Sequence, residues 1–246
     1  MPAKRQVRRY GWRPDLPDAR DHLFALRRPR TLPASVSLRD KLGPVQDQGE
    51  LGSCTAHAAE GAYWFLHPGC ALSRLKLYYD ERVIEGTVNE DAGAMIRTSV
   101  KALSKAGAAR EALWPYDVAK FTRKPAAAAV KDGKRHTIAA YQRLAPSQYR
   151  ACLAGGSPFI IGFSVYESFE SDATASTGRV TMPKRGESMI GGHAICVVGY
   201  KKRWGAMHYE CRNSWGADWG NAGYFWMPAA YLENLSLADD AWTVRS

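Results

Sequence analysis

Three short blocks, far apart along the chain, constrain this fold more than any other feature. The first is Gln48-Gly-Glu-Leu-Gly-Ser-Cys54, which sets an amide side chain six residues ahead of a thiol. The second is Gly191-Gly192-His193-Ala194-Ile195-Cys196, a histidine opening an apolar strand pattern. The third is Asn213-Ser214-Trp215-Gly216, with Trp219 and Gly220 close behind. Cys54 opens a run rich in small residues that reads as a helix. Its sulfur would then face unpaired backbone N–H groups and the positive end of the helix dipole. Both favour the thiolate, the nucleophilic form. His193 lies 139 residues after Cys54, and Asn213 a further 20 on.

Cysteine, histidine and asparagine in this order follow the papain-like pattern, and the sequence resembles the C1 family of cysteine peptidases. Its texture is that of bacterial members without the long prosegment. The resemblance runs from about Pro44 to about Met227, roughly three quarters of the chain. It implies an α+β, papain-like two-lobe fold, with a helical N-terminal lobe and an antiparallel, β-barrel-like C-terminal lobe. The active site would lie in the cleft between them. The implied activity is that of a cysteine-type endopeptidase acting on polypeptides through a thioester acyl-enzyme.

The residue types suit that chemistry. Cys54 would be the nucleophile, and His193 would take its proton and later protonate the leaving amine. Asn213 would orient the imidazole. Gln48 would donate its side-chain NH₂ to the oxyanion, beside the Cys54 N–H. Helix terminus and imidazolium together are expected to bring the thiol pKa down to roughly 3.5–7.5. The resemblance also places Gly93, Gly192 and Trp215 at the substrate. Asp91-Ala92-Gly93 looks like the strip that pairs with substrate backbone. Gly192 stands where relatives often carry a polar or acidic residue, which would widen the neighbouring pocket. Trp215 would shield the His193–Asn213 contact. Thr55 and His57 replace the family's usual aromatics, which bears on the primed side of the cleft.

No metal or cofactor is expected. Cys54 and His57 share a helical face, yet no second ligand pair completes a zinc site. Gly191-Gly192 is too short to cradle a phosphate. The other cysteines, at 70, 152, 196 and 211, read as buried small hydrophobes. Secreted relatives carry a disulfide cysteine three residues before the nucleophile; here that residue is Leu51. Free thiols fit a reducing compartment, so the expected location is cytoplasmic, or export without a conventional signal peptide. No apolar run of transmembrane length is present.

The net charge of +10 is concentrated at the front, where residues 1–33 carry nine Lys/Arg against three Asp. Such an arm could touch a polyanion, and a non-catalytic polyanion- or protein-binding module on a peptidase scaffold is one alternative reading. An exopeptidase, isopeptidase or acyltransferase using the same residues is another. No specific nucleic-acid motif is present. Residues 1–38 read as an extended basic arm, with Asp15, Asp18 and Asp21 as turn and solvation residues. Tyr10, Trp12, Leu16 and Phe24 suggest that the arm lies against the body, placed to cover the cleft and inhibit it. Residues 39–135 form the helical part and 136–246 the stranded part, expected as a monomer. Helices are expected at 53–66, 72–83, 96–106 (capped by Asn89-Glu90-Asp91) and 147–153. Strands are expected at 137–143, 158–165, 193–200, 207–212, 223–227 and 241–244, with a mobile loop or loose hairpin at 171–192.

Overall fold

Hydrophobic period changes near residue 137, and the architecture changes with it. The structure is a computed structural model that describes residues 10–25 and 31–246. A short strand, β1 (Ser35–Ser37), precedes helices α1 (Cys54–Leu66), α2 (Arg74–Glu85), α3 (Ile96–Lys105) and α4 (Ala127–Gly133). Then come β2 (Ala140–Arg143), α5 (Tyr149–Ala154), β3 (Phe159–Tyr166) and α6 (Asp172–Thr177). The chain finishes with β4 (Met189–Arg203), β5 (Ala206–Arg212), β6 (Tyr224–Pro228), α7 (Ala229–Leu232) and β7 (Ala238–Arg245). The sheet is antiparallel, in the order β2-β7-β3-β4-β5-β6, and β1 pairs with β4.

Helix α1 is buried on every side from Cys54 to Tyr63, which explains its alanines: only small residues let a helix sit this close to its neighbours. At Gly61 an added methyl would lie 2.6 Å from Arg212 Nη1. Ser73 caps α2, its hydroxyl accepting from Lys76 N at 3.1 Å, and Gly86 ends that helix in the left-handed region at φ 73°. The core beside the sheet is aromatic, with Tyr149 stacked on Phe159 at 4.8 Å and Tyr209 edge-on to both. Trp242 of β7 is fully buried.

Three expectations need correction. The cap of α3 is not at 89–91: its N-cap is Met95, which makes no side-chain cap. Instead Asp15 of the arm accepts from Arg97 N at 3.0 Å, and Glu85 from Met95 N at 2.9 Å. Residues 171–192 are not a loose loop. Ser171 caps α6 by accepting from Thr174 N, Gly178 closes it at φ 65°, and Met189–Gly192 already belong to β4. The alanine run at 126–129 leads into α4. Residues 35–37 are a strand within the segment expected to be extended arm, because their backbone pairs with Gly199–Lys201. The basic residues at 4, 5, 8, 9, 27, 28 and 30 lie outside the described residues. Among the described residues no helix is long and apolar enough to cross a membrane.

Arg212 on β5 ties α1 to the sheet. It faces Glu60 at 3.5 Å with both side chains buried, and its Nη2 also donates to Pro44 O. Burial still pushes the Glu60 carboxyl upward, so the pair sits in a poorly solvated place. Removing one partner strands the other. Arg212→Ala is expected to cost about 3–5 kcal/mol in urea unfolding. The double change Glu60→Gln with Arg212→Met should recover most of that loss; recovery of none would mean the pair is not the cause.

Candidate active site

Cys54 is the first residue of α1, and its sulfur is wholly buried. Sγ accepts from Ala194 N at 3.4 Å, so the strand residue after His193 touches the helix-start thiol. His193 Nε2 lies 2.8 Å from Asn213 Oδ1, which also accepts from Ser214 N at 2.9 Å. Trp215 packs 5.2 Å from the imidazole at a shallow 30° tilt, and Phe163 lies edge-on at 5.7 Å. An aromatic wall of this kind excludes water from a hydrogen bond and so strengthens it.

Gln48 joins the first block to the third. Its side-chain oxygen accepts from Ser214 Oγ at 2.6 Å, its backbone N–H donates to Ser214 O at 2.8 Å, and Nε2 donates to Leu51 O at 2.8 Å. One of the two amide N–H groups is thereby used, and the amide's orientation is held from both ends. The structure thus gathers Gln48, Cys54, His193 and Asn213 into one neighbourhood. Behind the nucleophile, Thr55 Oγ1 donates to the buried Glu81 at 2.7 Å. His57 is locked locally, with Nδ1 3.0 Å from Ser53 O, and burial depresses its pKa. Among the described residues no group of three His, Cys, Asp or Glu could hold a metal ion.

The thiol pKa departs from expectation. Burial pushes Cys54 up to about 12, against the opposing pull of N–H groups from Ala194, Gly11 and Thr55. Desolvation penalises the charged form more than those donors favour it. One of those donors, Gly11, comes from the N-terminal arm.

The N-terminal arm runs through the site. Trp12 N donates to Gly192 O at 3.0 Å, Ala94 N donates to Gly11 O at 2.7 Å, and Arg13 N donates to Ala94 O at 3.1 Å. A methyl on Gly11 would fall 1.8 Å from Gly52 O, and one on Gly93 2.1 Å from Gly11 O. Only a side-chain-free crossing fits, and Gly93 holds φ 68° besides. Tyr10 lies edge-on to His193 at 6.1 Å and near Trp215 at 6.4 Å. Of the expected substrate residues, Gly93 and Gly192 flank the arm's backbone and Trp215 lies beside Tyr10.

Two of the arm's aspartates are latches, not turn residues. Besides capping α3, Asp15 accepts from Trp242 Nε1 at 2.8 Å and donates its own N–H to Asp240 at 2.7 Å. Asp21 takes a two-pronged bond from Arg97, at 2.8 and 2.6 Å, and faces Arg143 at 3.3 Å. Their partners lie 76 or more residues away, so local pattern could not reveal them. Asp18 does act as a turn residue, holding Arg20 at the surface. Sequence reasoning also missed Gly162 and Asp240, which receive Trp12. The available signal was the aromatic-glycine-aromatic string Tyr10-Gly-Trp12 in a polar arm.

A helix-start thiol beside a strand-borne histidine that is bonded to asparagine is the constellation the sequence blocks anticipated, and residues 32–244 match the profile of papain family cysteine proteases. The chain belongs to the papain family of cysteine proteases. It is similar to an uncharacterized peptidase C1-like protein, L477, of Acanthamoeba polyphaga mimivirus, with 39% identity over 241 residues, 92% of this chain and 75% of that one. The viral cathepsin of Adoxophyes honmai nucleopolyhedrovirus is 28% identical over 194 residues, 76% of this chain and 54% of its own length. The chain therefore spans about half of that relative. Among solved structures, xylellain, a cysteine protease from Xylella fastidiosa, matches with a TM-score of 0.90 at 38% identity. The match covers 100% of this chain and 99% of xylellain. Procathepsin B S9 from Trypanosoma congolense shares the fold, with a TM-score of 0.74 at 20% identity over 97% of this chain and 87% of that one.

The seated arm makes a reactivity prediction for this cysteine peptidase. Iodoacetamide should label Cys54 slowly near neutral pH, since the thiol is buried and protonated. Gly11→Ala, which cannot keep its crossing at Gly52, should speed labelling by about tenfold or more. Mapped by peptide mass, an unchanged rate would mean that the arm is not what shields the sulfur.

Proposed function

We propose that this papain-family protease is a thiol endopeptidase acting through Cys54, His193, Asn213 and Gln48, and that its own arm inhibits it. The observation that carries the reading is the 2.8 Å His193–Asn213 bond beside a sulfur held by the N–H of Ala194, the next residue. With the arm displaced, water and substrate reach the sulfur, and the desolvation that holds the thiol pKa high is relieved. The proton passes to His193, and the helix N-terminus favours the thiolate that remains. Sulfur attacks the peptide carbonyl, and Gln48 with the Cys54 N–H takes up the oxyanion. His193 gives its proton to the departing amine as the C–N bond breaks, leaving a thioester. Water, deprotonated by His193, then attacks the thioester and releases the carboxylate and the thiol.

Polypeptide is the substrate class this reading supports, because the arm is itself a peptide and its backbone pairs with Ala94 and Gly192. Cys54→Ala and His193→Ala are expected to abolish turnover of blocked fluorogenic peptides while leaving the unfolding transition in place. Gln48→Ala should slow turnover by about 10²–10³-fold, and Asn213→Ala by less. A loss under about tenfold at Gln48 would put the oxyanion elsewhere.

The inhibited state has a pH signature. In the docked arm, burial and then Asp240 push the Asp15 carboxyl up to about 6, against an ordinary value of 3.8. Burial raises Asp240 as well. A group raised on docking holds its proton better when docked, so protonation favours the docked arm. That contribution is complete below the ordinary value and fades as pH rises through about 6. The ratio of Cys54 alkylation rates, wild type over Asp15→Asn, should therefore climb between about pH 5 and about pH 7.5. A ratio that stays level or falls would exclude Asp15 as the titrating latch.

A further inference from the structure

A second group of reactive side chains lies between the end of α1 and the end of α4. Four of the five cysteines are buried, and Cys70 alone is half-exposed, where the sequence suggested a buried small residue. Helix α1 runs 13 residues from Cys54 before His67 closes it, so its end lies about 20 Å from the nucleophile. Cys70 follows in the next turn, its N–H donating to His67 O at 3.1 Å.

His136, just beyond α4, meets this thiol. Its Nδ1 lies 3.7 Å from Cys70 Sγ, and its Nε2 faces Asp132 Oδ2 at 3.4 Å. The carboxylate favours the ring proton on Nε2, which leaves the Nδ1 lone pair toward the thiol. Tyr63 Oη lies 3.5 Å from the same Nδ1. That is the outer limit for an oxygen but an ordinary approach for the larger sulfur, so the thiol is the better-placed partner.

Asp132 is itself fixed. Its side chain is only 6% exposed, and Arg110 donates to it from Nη2 at 2.9 Å, Nε at 3.3 Å and its backbone N–H at 3.0 Å. Those bonds hold the carboxyl below its ordinary value, so it meets the imidazole as an anion. Nucleophile, base within reach and a third group orienting the base are the parts of an activated thiol. Burial pushes the Cys70 thiol upward, with Arg110 pulling it down and Asp132 and Glu60 adding to the rise. The proton therefore stays on sulfur until the imidazole removes it, and the thiolate of so weak an acid is the stronger nucleophile.

Charge selects the co-reactant. Lys131, Lys134 and Arg135, all exposed, lead into His136, and Arg110 exposes 57% of its side chain. The two acids that bear on the thiol, Asp132 and Glu60, are buried. A molecule arriving from solvent meets cations first.

We propose that Cys70, His136 and Asp132 form a thiol-exchange site that takes a small disulfide bearing carboxylates and keeps half of it as a mixed disulfide. Nδ1 takes the Cys70 proton, and Sγ attacks one sulfur of the incoming disulfide. A new S–S bond forms as the old one breaks, and the departing sulfur takes the proton from His136. Cys70 is oxidised and the departing half is reduced to a thiol, so the incoming disulfide is the only oxidant required. His136 is the base and Asp132 its positioning residue. The site is independent of the peptidase reading, because Cys54 takes no part.

The full-length Cys54→Ala chain tests this near neutral pH, with glutathione disulfide as the probe and each cysteine followed by peptide mass. The initial rate at Cys70 in the folded chain should exceed that at Cys70 of the same chain in concentrated urea by about tenfold or more. Exposure alone cannot give that sign, since unfolding only increases access. His136→Gln, with its unfolding midpoint unchanged, should bring the folded rate to the urea rate or below. Asp132→Asn should also slow the reaction, and Asp132→Glu should recover part of the rate. Cystamine, a cationic disulfide, should show an enhancement over its own urea rate about tenfold smaller than that of glutathione disulfide. A folded rate at or below the urea rate, or one indifferent to His136, overturns the exchange site. Equal enhancement with cystamine overturns the preference for an anionic co-reactant.

Discussion

The contact between Cys54 Sγ and the N–H of Ala194 is the point on which the rest of this architecture turns. It joins the first residue of a buried helix to the middle of the longest strand. Everything nearby keeps those two ends in register. Alanines and Gly61 let α1 approach the sheet, Arg212 and Glu60 bridge the two, and Gln48 ties its loop to Ser214. Once the helix start and β4 meet, His193 and Asn213 follow, because both lie on or just beyond paired strands whose alternation fixes their direction.

The second organising fact is that the groove beside this contact is filled by the chain itself. Residues 10–13 use glycine where they cross the sulfur, aromatic rings where there is space, and backbone bonds to Ala94 and Gly192. The latch lies further along, where Asp15 and Asp21 reach α3, β2 and β7. One set of contacts therefore does two jobs. It completes the N-terminus of α3, a structural need, and it holds Tyr10, Gly11 and Trp12 beside His193, Cys54 and Gly192. A helix capped by the arm should fray more readily once the arm leaves, which couples stability to access.

Burial sets the electrostatics of the Cys54 neighbourhood. The same exclusion of water that raises the Cys54 thiol also raises the carboxyls of Asp15 and Asp240.

Residue order and local pattern alone pointed to the family, set out Gln48, Cys54, His193 and Asn213 as the candidate catalytic set, and placed most elements. Those features are written in short motifs and in hydrophobic periods, which depend on near neighbours. Tertiary structure alone decided the cap of α3, the latching roles of Asp15 and Asp21, the raised thiol pKa, and the meeting of Gly162, Gly192 and Asp240 around Trp12. Each of these depends on which surfaces face one another across dozens to hundreds of residues. Spacing carries no record of such a pairing, and desolvation exists only after the chain has closed around the group.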